Sequence, residues 1–230
     1  MVSHSAGQPK IAPSIRPPLV LVLAWASDPI RRIFSRLFHW AVVYWLSNEQ
    51  RTEVISLHIW AHLRTVNRHR ALVRKYCFRL GLYWQGLTDD LSKYSPIEFF
   101  AGARYFQGDH SPNDAQRKAY GYSAAWLHHK GRNRHHFEYW TDYSLKGDGI
   151  VGVEMPKRYV AEMFCDRLAA SRVYRGADFE LSDPYKFFQR SMQKRLLIAP
   201  ETAALLETML VKLRDEGEDA AFTYIKRDIL

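Results

Sequence analysis

The sequence predicts an all-α protein, a helical bundle with an N-terminal helical extension. Three observations carry this. Helix-opening pairs recur along the chain: Ser95-Pro96, Ser111-Pro112 and Asp183-Pro184, with Pro156 and Pro200 opening two more. Proline fits the first helical position because its fixed φ suits the helix and its missing N–H has no partner there anyway. Glycines at 81, 131, 176 and 217 stand where helices would stop. No Asn-Gly or Asp-Gly turn lies between alternating strands.

Residues 1–18 hold four prolines with Ser, Gly, Gln and His and read as a disordered tail. Residues 19–26 are apolar, follow Lys10 and Arg16, and end on Ala24-Trp25-Ala26, the outline of a secretory leader. That apolar core is at the short limit and Pro17-Pro18 abut it, so the expectation is a cytoplasmic protein with no transmembrane segment. Residues 30–46 are basic and aromatic, and residues 19–50 read as an appended helical segment. Residues 52–228 read as the helical domain. Thr52 opens a long helix to Leu80. Ser95-Pro96-Ile97-Glu98 has the form of a capping box and opens a helix to about Phe106. Ser111 opens another, closed at Gly131. Pro156 opens a helix to Tyr174, Asp183 a short one, and Pro200 a helix to Glu216. A last helical piece reaches about Arg227. The glycine-rich loop 144–155 has room for two short strands at most.

Composition excludes several classes. With 47% hydrophobic and 25% charged residues the chain is neither disordered throughout nor fibrous. Two cysteines exclude a disulfide scaffold and a thiolate-rich zinc module. The net charge is +9, and its excess sits in residues 51–200, which carry 24 basic and 15 acidic side chains. A basic body suits an anionic partner: a nucleotide, a phosphorylated metabolite or a nucleic acid.

Ten histidines fall unevenly. His58, His62 and His69 share one stripe of the long helix, at i, i+4 and i+11. His128-His129 and His135-His136 flank a turn that carries Lys130, Arg132 and Arg134. Imidazoles so grouped suit Zn, Fe, Mn or Ni, and the three cations suit phosphate oxygens. Between these clusters Thr88-Asp89-Asp90 precedes Lys93. The pair of carboxylates reads either as a metal site or as the acidic first turn of a capped helix. Asp166 stands in an otherwise apolar helical stretch and needs a partner, Arg167, Arg172 or a metal.

The ordered set of His62, Asp89-Asp90, the histidine pairs and Asp166 resembles the HD superfamily, all-helical and mostly metal-dependent phosphohydrolases. Residues 52–228 also resemble a bacterial and phage family known only as a domain of unknown function. That second likeness rests on 81–88 (GLYWQGLT), 91–96 (LSKYSP) and 125–140 (AWLHHKGRNRHHFEYW). The HD resemblance implies an HD-like bundle and a divalent metal (Mn, Fe, Zn or Mg). The metal would be held by His62, Asp89, Asp90 and Asp166, with His128 or His129 and His135 or His136 holding a second. The usual His-Asp dipeptide is here Asp89-Asp90, which favours a harder ion. The expected reaction is hydrolysis of a nucleotide or another small phosphate ester. Lys93, Lys130, Arg132 and Arg134 would steady the phosphate, and Glu98 or Glu138 would move the proton. Two alternatives stand beside it: an HD-type di-iron oxygenase, and a non-enzymatic basic module in which Trp60, Trp126 and Trp140 stack on nucleic acid or a partner.

Overall fold

In a computed structural model the chain divides into Met1–Glu49 and Gln50–Leu230. The structure describes residues 52–230, except Asp148 and Arg195. The expected tail at 1–18 and the appended segment at 19–50 lie outside the described residues. Nine α-helices and one two-stranded sheet make up the rest, so the fold is all-α. The helices are α1 (Thr52–Arg79), α2 (Tyr83–Thr88), α3 (Pro96–Arg104), α4 (Pro112–Tyr120), α5 (Ala124–Lys130), α6 (Lys157–Arg175), α7 (Asp183–Met192), α8 (Pro200–Glu216) and α9 (Glu218–Tyr224). No helix among the described residues is long and apolar enough to cross a membrane.

Helix α6 runs through the core. Val160, Ala161, Met163, Phe164, Cys165, Leu168 and Ala169 are buried along it. Val73, Tyr76 and Cys77 of α1, Leu80 just past its end, and Leu206, Met209, Leu210 and Leu213 of α8 share one core with it. Both sets follow the i, i+3, i+4, i+7 spacing of one helix face. Each fully buried aliphatic side chain contributes about 1.5–3 kcal/mol. The same stripe of α1 continues toward its N-terminal half as Val66, His69 and His62, all buried. One helix face thus changes from apolar to titratable, and the site lies at that change.

Three local expectations are corrected. The segment opened by Ser111 does not run to Gly131. It ends at Gly121, whose φ of +80° is a left-handed C-cap, and Ser123 caps α5 through a 3.1 Å bond from the Trp126 amide. Nor does Thr88 open a helix: it ends α2 and donates to the Trp84 carbonyl at 2.9 Å. Ser95 makes no side-chain cap, and Glu98 turns away from the helix end. Of the two short strands for which the 144–155 loop had room, Ile150–Gly152 lies within it and pairs antiparallel with Thr141–Tyr143, just before it. A Cβ on Gly152 would stand 2.6 Å from the Ala199 amide nitrogen, so glycine lets this strand lie on the chain entering α8.

Candidate metal centre

Asp89 and Asp90 follow α2 directly, and their position is held from three sides. Gly86 allows α2 to lie against α1, since a Cβ there would meet the Cys77 Cβ at 3.0 Å. Arg70 of α1 donates from Nε to the Asp89 carbonyl at 2.8 Å and from NH2 to the Leu87 carbonyl at 3.0 Å. Asp90 has φ 54° and ψ 20°, and among the described residues it is the one non-glycine with positive φ. An L residue in that region is strained, and here the strain aims a carboxylate inward.

Asp90 is fully buried. Its Oδ2 takes the Lys93 ammonium and lies 3.1 Å from His69 Nε2. The same His69 nitrogen lies 3.0 Å from Asp166 Oδ1. Oδ1 of Asp90 faces His129 Nε2 at 3.2 Å and His135 Nε2 at 3.6 Å. His136 Nε2 approaches His129 Nε2 at 2.8 Å. Trp126 walls this group, with its ring centroid 4.8 Å from that of His136. The far nitrogens of two of these imidazoles meet carboxylates. His129 Nδ1 lies 2.8 Å from Glu98 Oε2, and His135 Nδ1 lies 3.3 Å from Asp89 Oδ1 and 3.4 Å from Glu162 Oε1. A carboxylate on Nδ1–H fixes the tautomer and leaves the Nε2 lone pair for a metal.

Charges within the group are mutually adjusted. Burial pushes Asp89 up to about 7, and the charge of Asp90 adds to the push. For Asp90 burial works in the same direction, but Lys93 and His129 overcome it and hold its carboxyl well below the usual range. Burial opposes protonation of His69 and His135. The carboxylates Asp166 and Asp90 nonetheless raise His69 to about 9, and Asp89 and Glu162 raise His135 to about 10. His136 is pushed the other way, by burial and by its two imidazole neighbours.

The donor set fits a divalent cation. Asp90, His129, His135 and His136 each bring a ligand atom into one small group, Asp89, His135 and Glu162 form a second, and His69, Asp89 and Asp90 a third. Both oxygens of Asp89, Oδ1 of Asp90 and Nε2 of His135 are buried without a hydrogen-bond partner among the described residues. Each such atom costs about 1–3 kcal/mol if nothing meets it. Four in one place point to an occupant. Imidazole and carboxylate donors without thiolate suit Mn, Fe, Co or Zn. Asp89, His135 and Glu162 of the second group line a cavity of about 500 Å³. Arg132, Arg134, Arg158, Tyr159 and Trp84 line it as well.

Not every expected residue joins the site. His62 is not in it. Its ring packs 5.4 Å from Phe99 and 6.0 Å from Phe106, and it makes no ion pair among the described residues. His69, seven residues on in the same stripe, meets Asp90 and Asp166 instead. His128 turns its Nδ1 to Glu98 Oε1 at 2.5 Å and stands outside the three ligand groups. Glu98 has both oxygens occupied by imidazoles, so it positions histidines and does not reach the cavity. Glu138 lies outside all three groups, and burial raises its pKa. Lys93 is the counter-ion of Asp90 and, like Lys130, is not a cavity residue, whereas Arg132 and Arg134 are. Asp166 finds its partner in His69, while Arg172 pairs with Glu218 at 2.6 Å. Of the tryptophans, Trp60 is exposed and Trp140 packs on Tyr159. Glu162 and Arg158 were not expected. Glu162 is four residues before Asp166, one turn away on the same face of α6, and that spacing was its available signal.

A family model matches residues 58–212, about two thirds of the chain. The chain belongs to DUF5662, a family of unknown function. No curated protein and no solved structure matches it. The matched span of DUF5662 takes in every residue of the three ligand groups and every residue of the cavity.

Proposed function

We propose that this DUF5662 protein is a metal-dependent phosphohydrolase acting on a small phosphate ester. One observation carries the reading: a buried histidine–carboxylate group with four polar atoms left without a hydrogen bond adjoins a cavity lined by three arginines. Arginines match phosphate oxygens in pairs, and a metal site beside them matches phosphoryl transfer to water. The HD resemblance supports the same chemistry, with His69 in place of His62 as the lone histidine.

Asp90, His129, His135 and His136 would hold the cation. Bound there, it would polarise the phosphoryl oxygen and lower the pKa of a water molecule. Arg132, Arg134 and Arg158 bind the ester's phosphate and meet the charge that develops on it. Asp89 lines the cavity, neither of its oxygens is hydrogen-bonded among the described residues, and it takes the proton of the attacking water and returns it to the leaving oxygen. Glu98 and Glu162 hold the imidazoles in register. An oxygenase built on the same donors leaves the arginines without a role.

The test uses the full chain purified without a histidine tag. Metal content is measured, and hydrolysis of p-nitrophenyl phosphate is followed with Mn, Fe, Zn and Mg. Metal-dependent hydrolysis, lost in Asp89→Asn and weakened in kcat/KM by Arg158→Ala, is the expected outcome. A protein that binds none of these ions and cleaves nothing belongs to the non-enzymatic reading.

A further inference from the structure

The cavity carries more than phosphate chemistry. Trp84, from the first turn of α2, lines it and is 74% exposed. It has no ring partner and no cation over its face among the described residues, unlike Tyr159, which lies against Trp140 with its centroid 5.7 Å away. Gln85 beside it also lines the cavity, and its side-chain amide makes no hydrogen bond among the described residues. An exposed indole costs free energy in water and is a ready stacking surface. In the phosphohydrolase reading the cavity-lining Arg132, Arg134 and Arg158 take the phosphate. The indole, on the same cavity, then meets whatever the phosphate is attached to. A volume of about 500 Å³ lies within the range that seats a molecule of this size.

We propose that the substrate is a nucleotide whose base stacks on Trp84 while its phosphate is held by the cavity arginines. The free amide of Gln85 offers a donor and an acceptor to the edge of that base. This rests on the phosphohydrolase reading for its reaction but not for its binding. A sugar phosphate has no flat face for the indole, so the indole supplies discrimination between the two.

The experiment is calorimetric titration of the full chain with AMP, GMP, CMP and UMP, and with ribose 5-phosphate, which shares their sugar and phosphate. At least one nucleotide should bind about tenfold tighter than ribose 5-phosphate, within the range that base–aromatic stacking supplies. Trp84→Ala should erase that ratio and leave ribose 5-phosphate binding unchanged. Trp84→Phe should keep most of it. Arg158→Ala should weaken every phosphate ligand alike. Equal binding of nucleotides and ribose 5-phosphate overturns the proposal, as does a preference that survives Trp84→Ala, or no binding of any of them. Hydrolysis is read separately on the same samples. Nucleotide preference without cleavage removes the hydrolase reading and keeps this one. Cleavage of p-nitrophenyl phosphate without nucleotide preference does the reverse.

Discussion

Oε2 of Glu98 stands 2.8 Å from Nδ1 of His129. The other Glu98 oxygen is engaged by His128, and the carboxylate is held below its ordinary pKa by these contacts against the opposing effect of burial. The pair leaves His129 Nε2 free to face Asp90. Glu98→Gln keeps the shape but removes the charge that fixes the tautomer. Metal affinity should fall about 10- to 100-fold, the usual cost of losing such a partner, while circular dichroism stays that of the parent. Calorimetry with Mn and Zn reads it. An unchanged isotherm would make the Glu98–His129 contact structural only.

Asp90 answers to two demands, its backbone conformation and its charge. Asparagine tolerates positive φ, so Asp90→Asn isolates the charge. The variant should fold, bind metal at least 100-fold more weakly, and lose stability. Lys93 and His69 would be left facing a neutral amide, and breaking a buried pair costs about 3–5 kcal/mol. Metal content and urea melts of the same preparation separate the two losses. Asp90→Asn with parental metal content would move the cation to the Asp89–His135–Glu162 group.

Much of this fold is legible in the sequence, because prolines and glycines act locally. The helix from Pro200 to Glu216 and its stop at Gly217 follow from φ preferences that need no tertiary contact. The site is less legible. His62 and His69 lie on one stripe of α1, and nothing within that helix says which of them meets carboxylates. The loop carrying Asp90 decides it, held by Arg70 and by the close approach at Gly86. Glu98 has the spacing of a capping box, yet two imidazoles 30 and 31 residues away outbid the local amide. Asp90's left-handed backbone has no sequence signal at all, since the residue type is compatible with several conformations.

Gly102 of α3 lies directly against His62. A Cβ on it would stand 2.3 Å from the imidazole Nε2, and the ring is hemmed by Phe99 and Phe106. Gly102→Ala should therefore destabilise the fold by about 1–3 kcal/mol, the usual cost of overpacking, despite alanine's better helix propensity. His62→Ala in the same chain should recover part of that loss, because it opens the space the methyl needs. The measurement is a double-mutant cycle by urea unfolding. Independent, additive effects would show that the two helices slide apart instead.

The same imidazole sets a pH dependence of stability. Burial, with the Lys93 charge adding to it, lowers the His62 pKa from 6.5 to about 4. Its neighbours are the rings of Phe99 and Phe106 and the bare backbone of Gly102, which offer no anion to a proton. The folded state therefore binds fewer protons than the unfolded chain between pH 6.5 and 4, and in that window stability rises with pH. Above about pH 7 His62 is neutral in both states and contributes no penalty. As the pH falls toward 4 the penalty grows to about 3 kcal/mol, since each pKa unit is worth about 1.4 kcal/mol. Other groups titrate across this window too, among them the buried carboxylates of the metal group, so the wild-type slope alone decides nothing. His62→Leu removes one titration and keeps an apolar side chain against Phe99. The stability difference between His62→Leu and wild type should shift in the variant's favour by about 2–3 kcal/mol between pH 7.5 and pH 4.5. Urea melts of both proteins at the two pH values give that difference directly. A difference that does not change with pH would mean that the His62 ring accepts its proton in the folded state.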